Sequence, residues 1–155
     1  MSRFPFAAAL LLALIAAPGL RAETAEPART SGSHANVLRV MVRNVAAGGG
    51  HVRVDVCTRA EFLSECRFGG SAPATPGVTT VEVRDLPPGV YAVQAYHDRN
   101  DNRTVDRNIL GLPTEPVGFS NDAPVGLTGP SFGAAAFNYP GGEHAISLRL
   151  RRFLP

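Results

Sequence analysis

The chain has 155 residues, 45% of them hydrophobic and 18% charged, a balance that excludes an intrinsically disordered acidic or basic protein. Its 16 Gly and 13 Pro are spread out rather than repeated, which argues for many short strands and turns and against a helical bundle, a coiled coil or collagen. All 15 basic residues are Arg, and setting aside Arg3 and Arg21 leaves thirteen Arg against thirteen Asp and Glu, so no basic excess is present to bind nucleic acid.

Arg3 precedes the apolar stretch Phe4 to Ala17, and Pro18-Gly19 and the small residue Ala22 follow it. This is the pattern of a secretory signal peptide over residues 1–22, cleaved after Ala22. The uninterrupted Ala/Leu/Ile run, Ala7 to Ala17, is eleven residues long, and a spanning helix needs roughly 20. The expectation is export to the periplasm or the extracellular space, with no transmembrane segment after cleavage. Residues 23–35, ETAEPARTSGSHA, are polar and aperiodic and read as a flexible lead before a domain covering 36–155.

From Asn36 the text alternates. Leu38, Val40 and Val42 share one face, and after the turn Ala46 to Gly50 so do Val52, Val54 and Val56, which predicts two antiparallel strands joined by a glycine turn. Between Cys57 and Gly77 the pattern stops, and an excursion with a loop or a short helical turn around Glu61 to Leu63 is expected. Val81 and Val83 resume it, Leu86-Pro87-Pro88-Gly89 turns the chain, and Val90 to Tyr96 makes the next strand in a second hairpin-like connection. His97 to Thr128 carries no sustained period and ends near the apolar run Phe132 to Phe137. Pro140-Gly141-Gly142 then leads into a last strand, Ala145 to Arg151, where Ile146, Leu148 and Leu150 alternate with Arg149 and Arg151. Six strands with room for one more read as two sheets with one inner face each, a closed barrel being the alternative. Tyr91, two residues after Gly89, has the placement of a corner tyrosine that bonds back to the backbone.

Cys57 and Cys66 are separated by eight residues in a chain expected to reach an oxidising compartment, and they are expected to bond to each other. Closing a loop of that size restricts the unfolded chain by roughly 2.5 to 3 kcal/mol in the loop-entropy model.

The long segment holds the most chemistry. It runs Leu86-Pro87-Pro88-Gly89-Val90-Tyr91-Ala92-Val93, His97-Asp98-Arg99-Asn100-Asp101-Asn102, Asp106-Arg107-Asn108, Gly111-Leu112-Pro113, Glu115 and Gly118-Phe119-Ser120-Asn121. On these residues the chain, from roughly Asn36 to Arg152, resembles the secreted bacterial proteins of domain of unknown function family 2141. The resemblance implies an exported sandwich of prealbumin-like or carboxypeptidase-regulatory-like character with no established reaction. The fold expected is therefore all-β: a single immunoglobulin-like or prealbumin-like antiparallel β-sandwich of about seven strands with a long loop.

Asp98, Asn100, Asn102 and Asp106 stand at positions one, three, five and nine of a loop. Calcium takes six to eight oxygens, and a tight loop supplies them from alternate side chains and a backbone carbonyl. Position six is Arg103 where an EF-hand has Gly, and position twelve is Ile109 where it has Glu, so Asn108, Glu115 or a carbonyl near Thr104 would have to complete the shell. The alternative is a surface loop of Asx-turns with Arg99, Arg103 and Arg107 neutralising the carboxylates. Phe119 and Asn121 are expected to anchor the far end of the loop, with Gly118 supplying a positive φ.

Ser120 and Ser131 are the candidate nucleophiles, and no His-Glu-x-x-His motif occurs among the titratable residues. His97 reads as a strand-end residue orienting the Asp98 loop, and His51 and His144 as surface residues. The function expected is a non-catalytic binding or structural module of the bacterial envelope with a calcium-binding loop, its partner an envelope protein or a glycan. A small secreted hydrolase using His97 and loop carboxylates, Asp106 with Glu115 among them, is the alternative. A glycan-binding role would need an exposed platform from Tyr96, Tyr139, Phe119 or Phe137.

Overall fold

The strands follow from alternating β-branched residues, and the sheets from which face each strand can bury. A computed structural model describes residues 36–126 and 128–153; the expected signal peptide and lead lie outside them. Among the described residues there are eight strands: β1 (Val37–Val45), β2 (His51–Cys57), β3 (Phe68–Pro73), β4 (Gly77–Arg84), β5 (Gly89–Asp98), β6 (Val117–Phe119), β7 (Phe137–Tyr139) and β8 (Glu143–Arg149). A one-turn helix, α1 (Phe132–Ala135), precedes β7, with Ser131 capping it by accepting from the Ala134 N–H. The apolar run 132–137, too short to read by period, is thus divided between helix and strand.

The strands form two sheets, one ordered β4-β1-β8 and the other β3-β2-β5-β6, with β7 pairing the start of β5. The class is as expected, an all-β sandwich, with eight strands where the sequence pattern suggested about seven. Leu38, Val40, Val42, Val81, Val83 and Leu148 of the first sheet pack with Val52, Val54, Val56, Tyr91 and Val93 of the second. Each such side chain gains roughly 1.5 to 3 kcal/mol on burial, and the shared core holds the sheets together.

The pairing differs from the hairpins expected. β1 pairs antiparallel with β4 and parallel with β8, and β2 pairs antiparallel with β3 and β5. The turns at 46–50 and 85–88 therefore arch from one sheet to the other. Alternation fixes which side chains face inward, and an arch satisfies it as well as a hairpin does. β3 replaces part of the expected irregular excursion; its sequence, Phe-Gly-Gly-Ser-Ala-Pro, offers almost no apolar face to read.

A second departure matters more. The five-stranded sheet is covered on its outer face too, where Ala92, Tyr96, Val117, Phe119, Ala123 and Ala135 form a separate buried cluster with Phe62, Val105, Val125 and Phe132 against it. Phe62 meets Phe119 and Phe132 edge-on, with ring centroids 5.9 and 5.7 Å away. Tyr91 is a corner tyrosine as expected, its hydroxyl donating to the Pro87 carbonyl at 3.0 Å. The disulfide Cys57–Cys66 is present and closes the 58–65 loop at the end of β2.

Gly118 does not use the positive φ expected of it. It is glycine for proximity: a Cβ there would stand 2.4 Å from the Arg149 carbonyl oxygen, where β6 crosses the end of β8. Two stability predictions follow from this packing. Gly118→Ala should cost about 1–3 kcal/mol in urea unfolding because backbone must move aside. The paired change Cys57→Ser and Cys66→Ser should cost about 2.5–3 kcal/mol by the same measurement.

Candidate functional site

β5 ends on Asp98, and its alternation divides the neighbouring chemistry between two faces. His97 shares the inward parity of Tyr91, Val93 and Ala95, whereas Asp98 shares the outward parity of Gln94 and Tyr96. On the outer face the antiparallel register sets His51 opposite Asp98, Arg53 opposite Tyr96 and Asp55 opposite Gln94. A ladder of polar residues thus runs along the two central strands of the sheet.

The Asp98 side chain is fully buried. One oxygen accepts from the Asn102 N–H at 3.1 Å; the other accepts from the Arg103 N–H at 2.9 Å and from Arg53 Nε. Burial alone would raise the carboxyl, but Arg53, followed by the Arg103 and Asn102 amides, outweighs it and holds it below the ordinary aspartate range. A carboxylate so placed pins the first turn of the excursion onto the sheet.

Glu115, also buried, closes the other side. Its carboxylate accepts from the Arg99 N–H at 2.8 Å and the Asp106 N–H at 3.2 Å. Between these two carboxylates, Asp106 accepts from the side-chain amides of Asn100 (2.8 Å) and Asn102 (2.7 Å). Asn102 Oδ1 in turn accepts from the Thr104 N–H and hydroxyl, at 2.9 and 3.0 Å. Asp101 lies against His51 Nδ1, and the Tyr96 hydroxyl donates to the Arg103 carbonyl at 2.9 Å. Burial, with the charges of Asp55, Asp98 and Glu115 also contributing, pushes the Tyr96 phenol up to about 12, so it remains a donor at any physiological pH.

The five residues singled out as metal ligands thus fall in one turn, with Asn100, Asn102 and Asp106 in direct contact. Among the described residues no group of three or more His, Cys, Asp and Glu converges as a metal centre. The neutralising partners differ from those anticipated: Arg53 and His51 on β2 answer Asp98 and Asp101, and Arg99, Arg103 and Arg107 form no ion pair with the loop carboxylates. Arg103 has φ 68°, the left-handed conformation that glycine supplies at position six of a calcium loop.

Phe119 is buried in the outer cluster, and Asn121 donates to the Ala136 carbonyl at 2.9 Å. Ser120 is buried beside it, accepting from the Val93 N–H and donating to the Ala135 carbonyl. His97 is buried, with Nε2 2.8 Å from the Gly49 carbonyl oxygen, so it secures the 46–50 arch from the face opposite Asp98. His144 packs edge-on against Tyr139. Tyr96, Tyr139 and Phe119 are all less than a tenth exposed, so they form no aromatic platform.

Above the polar ladder lies a groove of about 840 Å³. Its floor is Asp55, Gln94 and Tyr96; one wall is the disulfide loop with Leu63 and Ser64, and the other is the excursion with Arg103 and Arg107. Gln94 ties floor to wall, accepting from the Leu63 N–H and donating to the Ser64 carbonyl, each at 3.2 Å. Burial pushes the Asp55 carboxyl up, with Gln94 and Arg53 only partly opposing it. Asp55, Gln94 and Ser64 carry little sign in the sequence beyond being polar residues within otherwise apolar strands and a loop closed by cysteines.

A family model described as an uncharacterized protein conserved in bacteria, DUF2141, matches residues 40–147. The chain belongs to the DUF2141 family. No curated protein and no solved structure matches it. The match to this DUF2141 chain runs from within β1 to within β8 and so takes in the excursion, the disulfide loop and most of the groove.

Asp98 and Asp55 should respond to pH with opposite signs. The lowered Asp98 value means its stabilisation is complete above the unfolded pKa of about 3.9 and is lost as pH falls through the folded value. Asp98→Asn should cost about 3 kcal/mol at pH 7, because Arg53 is left half-buried and unpaired, and the loss should shrink in acid. The raised Asp55 value means the folded state disfavours its charge. Asp55→Asn should therefore raise the melting midpoint at neutral pH, with the gain vanishing below about pH 4. Thermal melts of both variants from pH 3 to 8 check the two signs together.

Proposed function

We propose that this DUF2141 protein is a non-catalytic binding module of the bacterial envelope, that the groove over the outer sheet face is its ligand site, and that calcium stiffens the Asp98–Glu115 turn forming one wall. The observation that carries the reading is the groove itself. Two loops, one closed by a disulfide and one by buried carboxylates, are fastened to a rigid sheet so as to leave between them a space with a hydrogen-bonding floor.

The lining favours a polar, extended ligand. Gln94, Asp55 and Ser64 offer donors and acceptors, and Arg103 and Arg107 offer guanidinium forks for carboxylates. With Tyr96 and Phe119 packed into the outer cluster, stacking on a sugar ring is a weak option, and a peptide segment of an envelope protein is the better fit. Signal-directed export is part of this reading and rests on residues 1–22.

Support for calcium comes from conformation and spacing. Asp98 accepts the N–H groups of the fifth and sixth loop residues, the sixth has the required positive φ, and the donors at positions three, five and nine already touch. Ile109 at position twelve is fully exposed, and Glu115, already bonded to the Asp106 N–H, takes its place.

Residues 33–155 should melt higher in millimolar calcium than in chelator, by the equivalent of about 2.7 kcal/mol at a hundredfold excess over Kd. Asp106→Ala should abolish the rise without the folding defect of an Asp98 variant; an unchanged midpoint in the parent would sink the calcium reading. For the groove, NMR titration with envelope-derived peptide and glycan libraries should shift Gln94, Tyr96 and Arg103 resonances together. Ligands that shift only residues outside the groove would remove it as the binding site.

A further inference from the structure

The excursion does something its role as a groove wall does not require. At its far end it becomes a tight ribbon: the Thr114 N–H donates to the Asp106 carbonyl at 2.8 Å and the Asn108 N–H to the Leu112 carbonyl at 3.0 Å. The Asn108 side chain accepts from the Leu110 and Leu112 amides, both at 3.0 Å, and Arg107 reaches the Gly111 carbonyl at 2.8 Å. The residues held at the tip of this ribbon are Ile109 and Leu110, 102% and 75% exposed. Two adjacent aliphatic side chains are thus fixed in water, which gives up free energy that folding back would recover.

Along the excursion the acids are held inward and the bases lie at the surface, even though the chain is near neutral. Every acid of the excursion is engaged within the protein: Asp98 by Arg53, Asp101 by His51, Asp106 by two side-chain amides, and Glu115 by two backbone N–H groups. Arg99, Arg103 and Arg107, all exposed, meet no carboxylate among the described residues. The groove that Arg107 and Gly111 line also reaches Phe153, beside the exposed Arg151 and Arg152.

We propose that the Ile109–Leu110 tip is a membrane-docking element that inserts among the headgroups of an anionic lipid bilayer, with Arg99, Arg103 and Arg107 on the phosphates around it. A bilayer offers anions on every side of an inserted tip, which matches cations spaced along the whole excursion; a pocket on a protein would need a ring of carboxylates to do the same. One short aliphatic tip gives weak, reversible attachment, strengthened by the cations and weakened by salt. The proposal does not depend on calcium or on what the groove binds, although Arg103 and Arg107 also line the groove.

Residues 33–155 contain the whole described core and are tested without Phe4–Ala17, which would bind lipid by itself. Flotation is measured in calcium-containing buffer with vesicles of about three parts phosphatidylglycerol to seven of phosphatidylcholine, and with phosphatidylcholine alone. The parent should float with the anionic vesicles. Ile109→Ser with Leu110→Ser should weaken that binding about tenfold or more at an unchanged melting midpoint, and Arg99→Gln with Arg103→Gln should remove the preference for anionic vesicles. A parent that does not float, or floats equally well with the serine pair, overturns the proposal, the second result being what calcium bridging alone would give. Self-association of the parent that the serine pair abolishes, without vesicle binding, would assign the tip to a second copy of the chain and overturn it too.

Discussion

A single buried carboxylate organises the half of this molecule that is not plain sandwich. Asp98 is the last residue of β5, has no contact with solvent, and accepts from Arg53 on the neighbouring strand and from two amides of the turn it begins. Burying an aspartate is costly unless its lone pairs are met, and here three donors meet them at fixed positions. The path of the chain after Asp98 is therefore tied to the sheet from its first turn. Glu115 repeats the device sixteen residues after Arg99, so the excursion leaves and rejoins the sheet at two buried anions.

That fastening makes the second sheet a two-sided layer. β5 is buried along nearly its whole length, its inner side chains in the core between the sheets and its outer ones beneath the excursion. The run Val90-Tyr91-Ala92-Val93-Gln94-Ala95-Tyr96 shows this in retrospect, because a strand buried on both faces reads as continuous apolar text rather than alternation. The interruption, Gln94, is the residue that bonds the disulfide loop to the sheet. Polar residues embedded in such a strand cost free energy unless they hold something, and Gln94 and Asp98 each hold a loop.

The disulfide and the excursion are complementary in this respect. Cys57–Cys66 limits how far the 58–65 loop can stray, and the buried carboxylates limit the excursion, so the groove between them has two fixed walls. The family match covers both walls and the floor, which makes the whole arrangement, rather than one residue, the object that needs a function. Within it, Arg103 adopts a backbone conformation that side chains avoid and lends its carbonyl to Tyr96, which ties the strained turn to the floor.

The sequence by itself determined the class of fold, the inward face of each regular strand, the corner tyrosine and the disulfide. All of these rest on short-range patterns: a period of two, a spacing to a glycine, two cysteines nine positions apart. Only the tertiary structure decided which strands pair, that the arches at 46–50 and 85–88 cross between sheets, that β8 lies parallel to β1, and that Asp98 answers to Arg53. It also decided why residue 118 is glycine, since the obstacle is the carbonyl of a residue thirty-one positions away. Alternation specifies a face and says nothing of the partner, because a hydrophobic face is satisfied by any apolar neighbour. A buried charge accepts very few partners, and on β2 and the excursion those partners are brought to it by the register of the sheet.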